Sequence, residues 1–169
     1  MASRRVQVIV SGALTAAVVL VAVLVGGVAN ADDGGRPFRL AMSGANEFNA
    51  SGAPINPHGD ADSGTIELRL NPGQGEVCWA VGTLTLTAGD ALPHVAHLHR
   101  APAGVAGPVV VDLFGGSAPV PAPTSYPTAT TCVPAARDAL RAILQDPAAY
   151  YVNLHNAQHP GGVMRAQLG

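Results

Sequence analysis

The chain has 169 residues, a formal net charge of −2 and 12% charged residues. From residue 32 onward it carries seven arginines, no lysine and eleven acids, which argues against nucleic acid as a partner, because phosphate binding needs clustered cations. Aromatic residues at 4% also exclude a ring-rich platform of the lectin kind.

The N-terminus opens MASRR and runs into an unbroken apolar stretch to about Val28, then Ala29-Asn30-Ala31 before Asp32. That order predicts a secretory signal peptide over residues 1–31, cleaved after Ala31. The alternative is an uncleaved anchor, since the run reaches the ~20 residues that span a bilayer. Both readings place the rest of the chain outside the cytoplasm, and membrane contact is expected only through this segment if it is retained. The absence of lysine with much Ala, Gly, Pro and Val fits a GC-rich bacterial gene. Residues 32–37 read as a polar linker, and residues 38–169 as a single domain.

Phe38 to Met42 reads as the first strand, and residues 49–65, dense in Gly, Pro, Asn and Asp, as loop. Within it, "GDADSG" (59–64) is similar to a calcium loop, but it lacks the closing Glu and the ligand spacing, so a solvated turn is expected. Thr65 to Leu70 alternates strictly, which predicts a half-buried strand, and "NPGQGE" (71–76) a turn into a partner strand over Val77–Leu86. That strand is apolar on both faces, as in the middle of a sheet. A short strand over 94–99 ends at histidines, "RAPAGVAG" (100–107) is loop, and residues 108–114 form a β segment with Pro108 at its first position. Residues 115–128 read as a Pro-rich excursion. One helix is expected, with Pro134 in its first turn, an apolar stripe of Ala136, Leu140, Ile143 and Leu144, and a stop at Asp146-Pro147. Tyr150–His155 and Val163–Leu168 are the last strands, joined by "NAQHPGG". Recurrent short strands with one helix near the C-terminal third predict an all-β class, an antiparallel β-sandwich or barrel-like domain.

Cys78 and Cys132 are the only cysteines. In an exported protein an even count predicts a disulfide, the other reading being two free thiols with one as a metal ligand. "PHVAHLHR" (93–100) holds half of the six histidines. On a strand, His97 and His99 share a face while Leu98 turns inward. Two such imidazoles can converge on one ion, copper and zinc among those imidazole suits. His155, ending another strand, is the first choice of third ligand. His94, which lies on the opposite parity, His159 and Asp112 are second choices. The competing reading has the histidines bonding loop backbone and fixing it. Tyr150 and Tyr151 read as core and interface aromatics. Arg165 shares a polar face with Gln167 and is expected either exposed or paired with an acid such as Asp112. No serine or cysteine stands in a nucleophile setting, so no catalytic residue is expected.

"AHLHRAPAGVAGPVVVDL" and "DPAAYYVNLHNAQHPGGVMRAQL" together resemble the CHRD domain, named after the animal protein chordin and recurrent in secreted bacterial proteins. The resemblance runs from about Phe38 to Leu168. Its strongest points are the histidine strand with Gly107 and Pro108, then Asn153 before Leu154-His155, Pro160-Gly161-Gly162 and Arg165. It implies an extracellular β domain. The N-terminal segment, the single domain, the expected disulfide and the lack of a nucleophile setting point to a non-catalytic binding or structural module of the cell envelope, with an envelope or extracellular protein as the expected partner. The alternative is an exported copper or zinc protein with superoxide-dismutase-like redox chemistry at His97 and His99.

Overall fold

The computed structural model describes residues 34–55, 61–116, 122–127 and 129–169. The segment expected to be a signal peptide (1–31), His58 and Asp60 lie outside the described residues. Eight strands form one antiparallel sheet: β1 (Arg36–Ser43), β2 (Ser63–Asn71), β3 (Glu76–Thr85), β4 (Val95–Arg100), β5 (Val109–Phe114), β6 (Thr131–Pro134), β7 (Tyr150–His155) and β8 (Met164–Gln167). Their order is β5-β4-β7-β8-β1-β2-β3-β6. The sheet curls until its ends approach, with Trp79 of β3 and Phe114 of β5 at 4.7 Å between ring centroids. The expected all-β fold is thus a nearly closed, barrel-like sheet.

Alternation explains the core. Ile66, Leu68 and Leu70 of β2 are buried, while Thr65, Glu67 and Arg69 point outward. Phe38 stands opposite Leu68, and Leu98, Val152, Leu154 and Met164 complete the interior. Each such side chain stabilises the fold by roughly 1.5–3 kcal/mol relative to exposure. Glu67 instead pairs with Arg39 at 3.1 Å on an exposed face, an ion pair of the kind that contributes little.

The structure corrects several boundaries. Arg36 and Pro37, read as linker, already pair with Leu70 and Arg69 in β1. Strand β3 is buried on both faces only from Val77 to Trp79, and beyond Ala80 it gains solvent, because its outer neighbour β6 is four residues long. Strand β6 was not expected: Thr131-Cys132-Val133-Pro134 is too short to show a period. Pro134 ends that strand rather than opening a helix. The helix, α1 (Arg137–Gln145), starts after Ala136, whose backbone is extended, and stops before Asp146-Pro147 as read. Its buried Leu140 and Ile143 face β2, and Arg137 donates to the Pro72 carbonyl at 2.9 Å, tying the helix to the β2–β3 turn.

Cys78 and Cys132 stand directly opposite each other on β3 and β6 and form a disulfide across a separation of 54 residues. A closed loop of that length stabilises by about 4 kcal/mol through the unfolded chain. The Cys78→Ala/Cys132→Ala variant is expected to lose about that much in urea unfolding, and a loss under 1 kcal/mol would count against the loop-closure account.

Candidate metal centre

Register places the site. His97 stands opposite Asn153, His99 opposite Tyr151 and Val95 opposite His155 on β4 and β7. Across β7 and β8, Asn153 stands opposite Arg165 and Tyr151 opposite Gln167. One face of these strands carries Ala96, Leu98, Val152, Leu154, Met164 and Ala166, all buried in the core. The other carries His97, His99, Tyr151, Asn153, His155, Arg165 and Gln167. This polar row lies on the outer face of the sheet, and loops cover it.

The loop after β1 contributes Glu47, 1% exposed, whose Oε2 accepts from Asn153 Nδ2 at 3.3 Å. A Cβ on Gly162 (φ +135°) would fall 2.4 Å from that carboxylate, so only glycine lets the β7–β8 loop pass. The 101–107 loop crosses next. A Cβ on Gly107 would lie 2.0 Å from the Arg100 carbonyl oxygen, and the Pro108 carbonyl accepts from Arg100 N at 3.0 Å. Tyr151 Oη accepts from Gly107 N at 3.2 Å, and its ring stacks on His99 at 4.7 Å and 8°.

His97, His99 and His155 converge, each offering one ring nitrogen within 4.8 Å of the others. The remaining contacts fix their tautomers. His99 Nδ1 lies 2.9 Å from the Gly107 carbonyl, and His155 Nδ1 lies 3.1 Å from that of Pro160. A carbonyl only accepts, so both Nδ1 atoms carry hydrogen and both Nε2 atoms carry lone pairs. His97 Nε2 faces Asp112 Oδ1 at 3.3 Å, which leaves His97 Nδ1 as its lone-pair atom. That atom stands 3.3 Å from His155 Nε2. Two lone pairs facing each other repel unless a cation joins them. Two ligands at about 2.0–2.1 Å on a tetrahedral ion are about 3.3 Å apart. His99 Nε2 is buried and has no hydrogen-bond partner. Each imidazole therefore commits one N–H to an oxygen outside the cluster, the arrangement that orients metal-bound histidines.

Burial keeps the three rings neutral. It pushes His155 down to about 4, helped by His97. It also lowers His97 against the opposing pull of Asp112, and His99 against its bond to Gly107. In the metal-free protein the unfolded chain therefore takes up protons before the folded one. Stability is complete above about pH 6.5 and is lost as pH falls towards 4. Thermal unfolding of metal-free protein at pH 7.5 and 5 is expected to show a lower midpoint at pH 5, and equal midpoints would contradict this.

The second choices stand elsewhere. Asp112 orients His97 from outside the cluster. His94 precedes β4, and its backbone N–H donates to the His155 carbonyl at 3.0 Å. His159 pairs with Asp90 at 2.9 Å, near Asp62. Asp62 was read as part of a solvated turn; it is 1% exposed and accepts from Thr87 N at 2.5 Å, because it leads directly into β2 beneath the β3–β4 loop.

Arg165 was expected exposed or paired with Asp112, and it is neither. It is 2% exposed, donates to the Val105 and Pro102 carbonyls at 2.8 and 2.9 Å and to Gln167 Oε1 at 3.1 Å, and lies 3.4 Å over the Tyr151 ring. Strand β8 sits between β7 and β1 and the 101–107 loop folds over it, so its polar face is interior. Glu47, which closes the other side, had no signal in the sequence: it is a single acid in a loop.

Fold and site together define an all-β domain with a three-histidine cluster held under loops on the outer face of its sheet. The family model described as CHRD domain matches residues 38–168, and the chain belongs to the CHRD domain family. That span includes every residue of the cluster and of its cover. No curated protein and no solved structure shows significant similarity to the chain.

Proposed function

We propose that this CHRD domain is exported and acts as a non-catalytic binding module outside the cytoplasm, and that it holds one copper or zinc ion through His97, His99 and His155. One observation carries the metal reading: three imidazoles whose outer N–H groups are bonded to Gly107, Pro160 and Asp112 while their remaining nitrogens converge. The donor set suits copper and zinc, and calcium or magnesium would call for oxygen ligands. Export is supported by the composition of residues 1–31 and by the disulfide. Among the described residues no helix is long and apolar enough to cross a membrane. The partner in this reading is another protein of the envelope.

The test is metal content. Purified protein offered copper or zinc and then dialysed is expected to retain about one ion per chain, and the His97→Ala/His99→Ala variant none. No ion in either protein would return the histidines to an architectural role. Superoxide turnover by copper-loaded wild type, abolished in the variant, would replace the non-catalytic reading with the redox one.

A further inference from the structure

We infer a second cation site, separate from the three-histidine centre, in which Asp62, Asp90 and His159 hold a divalent ion of the manganese type. Each offers one ligand atom, and the three atoms lie within 4.8 Å of one another. They come from three segments that the sheet brings to one end, where β2 and β4 begin and β3 and β7 finish. Asp62 leads into β2, and its carbonyl accepts from Gly44 N at 2.8 Å. Asp90 lies in the β3–β4 loop, where its N–H donates to the Thr87 carbonyl at 3.0 Å. His159 lies in the β7–β8 loop. None of the three clustered histidines takes part.

Buried charge calls for the ion. Asp62 is 1% exposed and the Asp90 side chain 9%. Two carboxylates this close and this buried repel, and buried charges persist only when a counter-charge or a metal answers them. The chain has no lysine, and Asp90 faces His159, Oδ2 to Nε2 at 2.9 Å. At the ~2.0–2.1 Å bond length of a small octahedral ion, neighbouring ligands stand about 2.9 Å apart. Uncharged groups hold the set in place. Asp62 Oδ1 accepts from Thr87 N at 2.5 Å. Asn156, 1% exposed, donates to Asp90 Oδ2 at 3.4 Å and accepts from His159 N at 2.7 Å. Gln158 ties the same two loops by donating to the Gly89 carbonyl at 3.3 Å. Carboxylates suit magnesium, calcium and manganese, and imidazole suits transition ions, so manganese satisfies the mixed set. Calcium, with ~6–8 oxygen ligands, is a poorer match for a ring nitrogen. The His159 side chain is 26% exposed, which leaves the ion one open side and makes the site reversible, unlike the enclosed centre expected to retain copper or zinc. His159 also precedes Pro160, whose carbonyl holds His155, so an ion here steadies the loop that orients a ligand of the other centre.

The experiment titrates metal-free protein with Mn²⁺ and reads the free aquo ion by electron paramagnetic resonance. Saturable binding of about one Mn²⁺ per chain is expected, and the His97→Ala/His99→Ala variant is expected to bind it equally. His159→Ala and Asp62→Asn are each expected to weaken binding by more than about tenfold. Asparagine keeps an acceptor for Thr87 N, so its loss reports the charge. Where a variant does not fold, paramagnetic broadening in wild type decides: the N–H resonances of Thr87, Asp90 and Gln158 are expected to broaden before those of His97 and His99. Absence of saturable binding would overturn the inference in favour of a protonated His159 set between two carboxylates. Binding that survives both single variants, or broadening centred on His97, would assign the ion elsewhere and overturn it as well. Loss of binding in the double variant with retention in His159→Ala would do the same.

Discussion

Arg165→Ala is expected to destabilise the domain by about 3–5 kcal/mol, the range for breaking a buried charged network from one side. The guanidinium holds two carbonyls of the 101–107 loop, Val105 and Pro102, together with Gln167. It also covers the Tyr151 ring and offsets the charge of buried Glu47, with which it interacts. Alanine removes the donors and leaves both carbonyls and Glu47 inside the fold. A small domain has only about 5–15 kcal/mol in total, so the variant sits near the edge of folding. Arg165→Lys keeps the charge but not the planar fork, and is expected to recover part of the loss. Urea unfolding of the three proteins checks this, and a loss below 1 kcal/mol in the alanine variant would refute the clamp. The clamp also bears on the metal centre, because Tyr151 stacks directly on His99.

The second large effect concerns the metal centre. His155→Ala removes one of three ligands and is expected to lower copper or zinc affinity by more than the ~10–100-fold typical of an outer partner's loss. Asp112→Ala removes only the acceptor that orients His97, and is expected to fall within that ~10–100-fold range. His94→Ala is expected to leave affinity within a few-fold, since it stands outside the converging trio. Competition titrations against a chelator give the three values. Equal losses for His155→Ala and His94→Ala would remove His155 from the ligand set.

Much of this was legible in the chain and some was not. The parity of His97 and His99 followed from strand geometry, and strand β7 (Tyr150–His155) appeared with its exact bounds, because alternation and turn residues are local signals. The choice of His155 as third ligand rested on its place at a strand end, and the structure brings it within reach. What escaped notice depends on contacts distant in sequence. Strand β6 exists because β3 offers it an edge and Cys78 a partner. Arg165 looked exposed because a polar strand face normally meets water; here two loops, 44–55 and 101–107, take water's place. Asp112 was grouped with the ligands because its residue type fits, whereas its position, paired across from His97 in a bulged stretch of β4 and β5, makes it an orienting group.

The nearly closed sheet still leaves two strands with one unpaired side, β5 and β6. Such edges are templates on which other chains polymerise. Here each is poorly suited to that. Strand β6 is four residues long and ends in Pro134, which has no N–H to give. Strand β5 follows Pro108, carries Asp112 exposed on its length and is irregular in register against β4. A weakly charged domain thus carries built-in protection against fibre growth, and Pro108, Asp112 and Pro134 provide it.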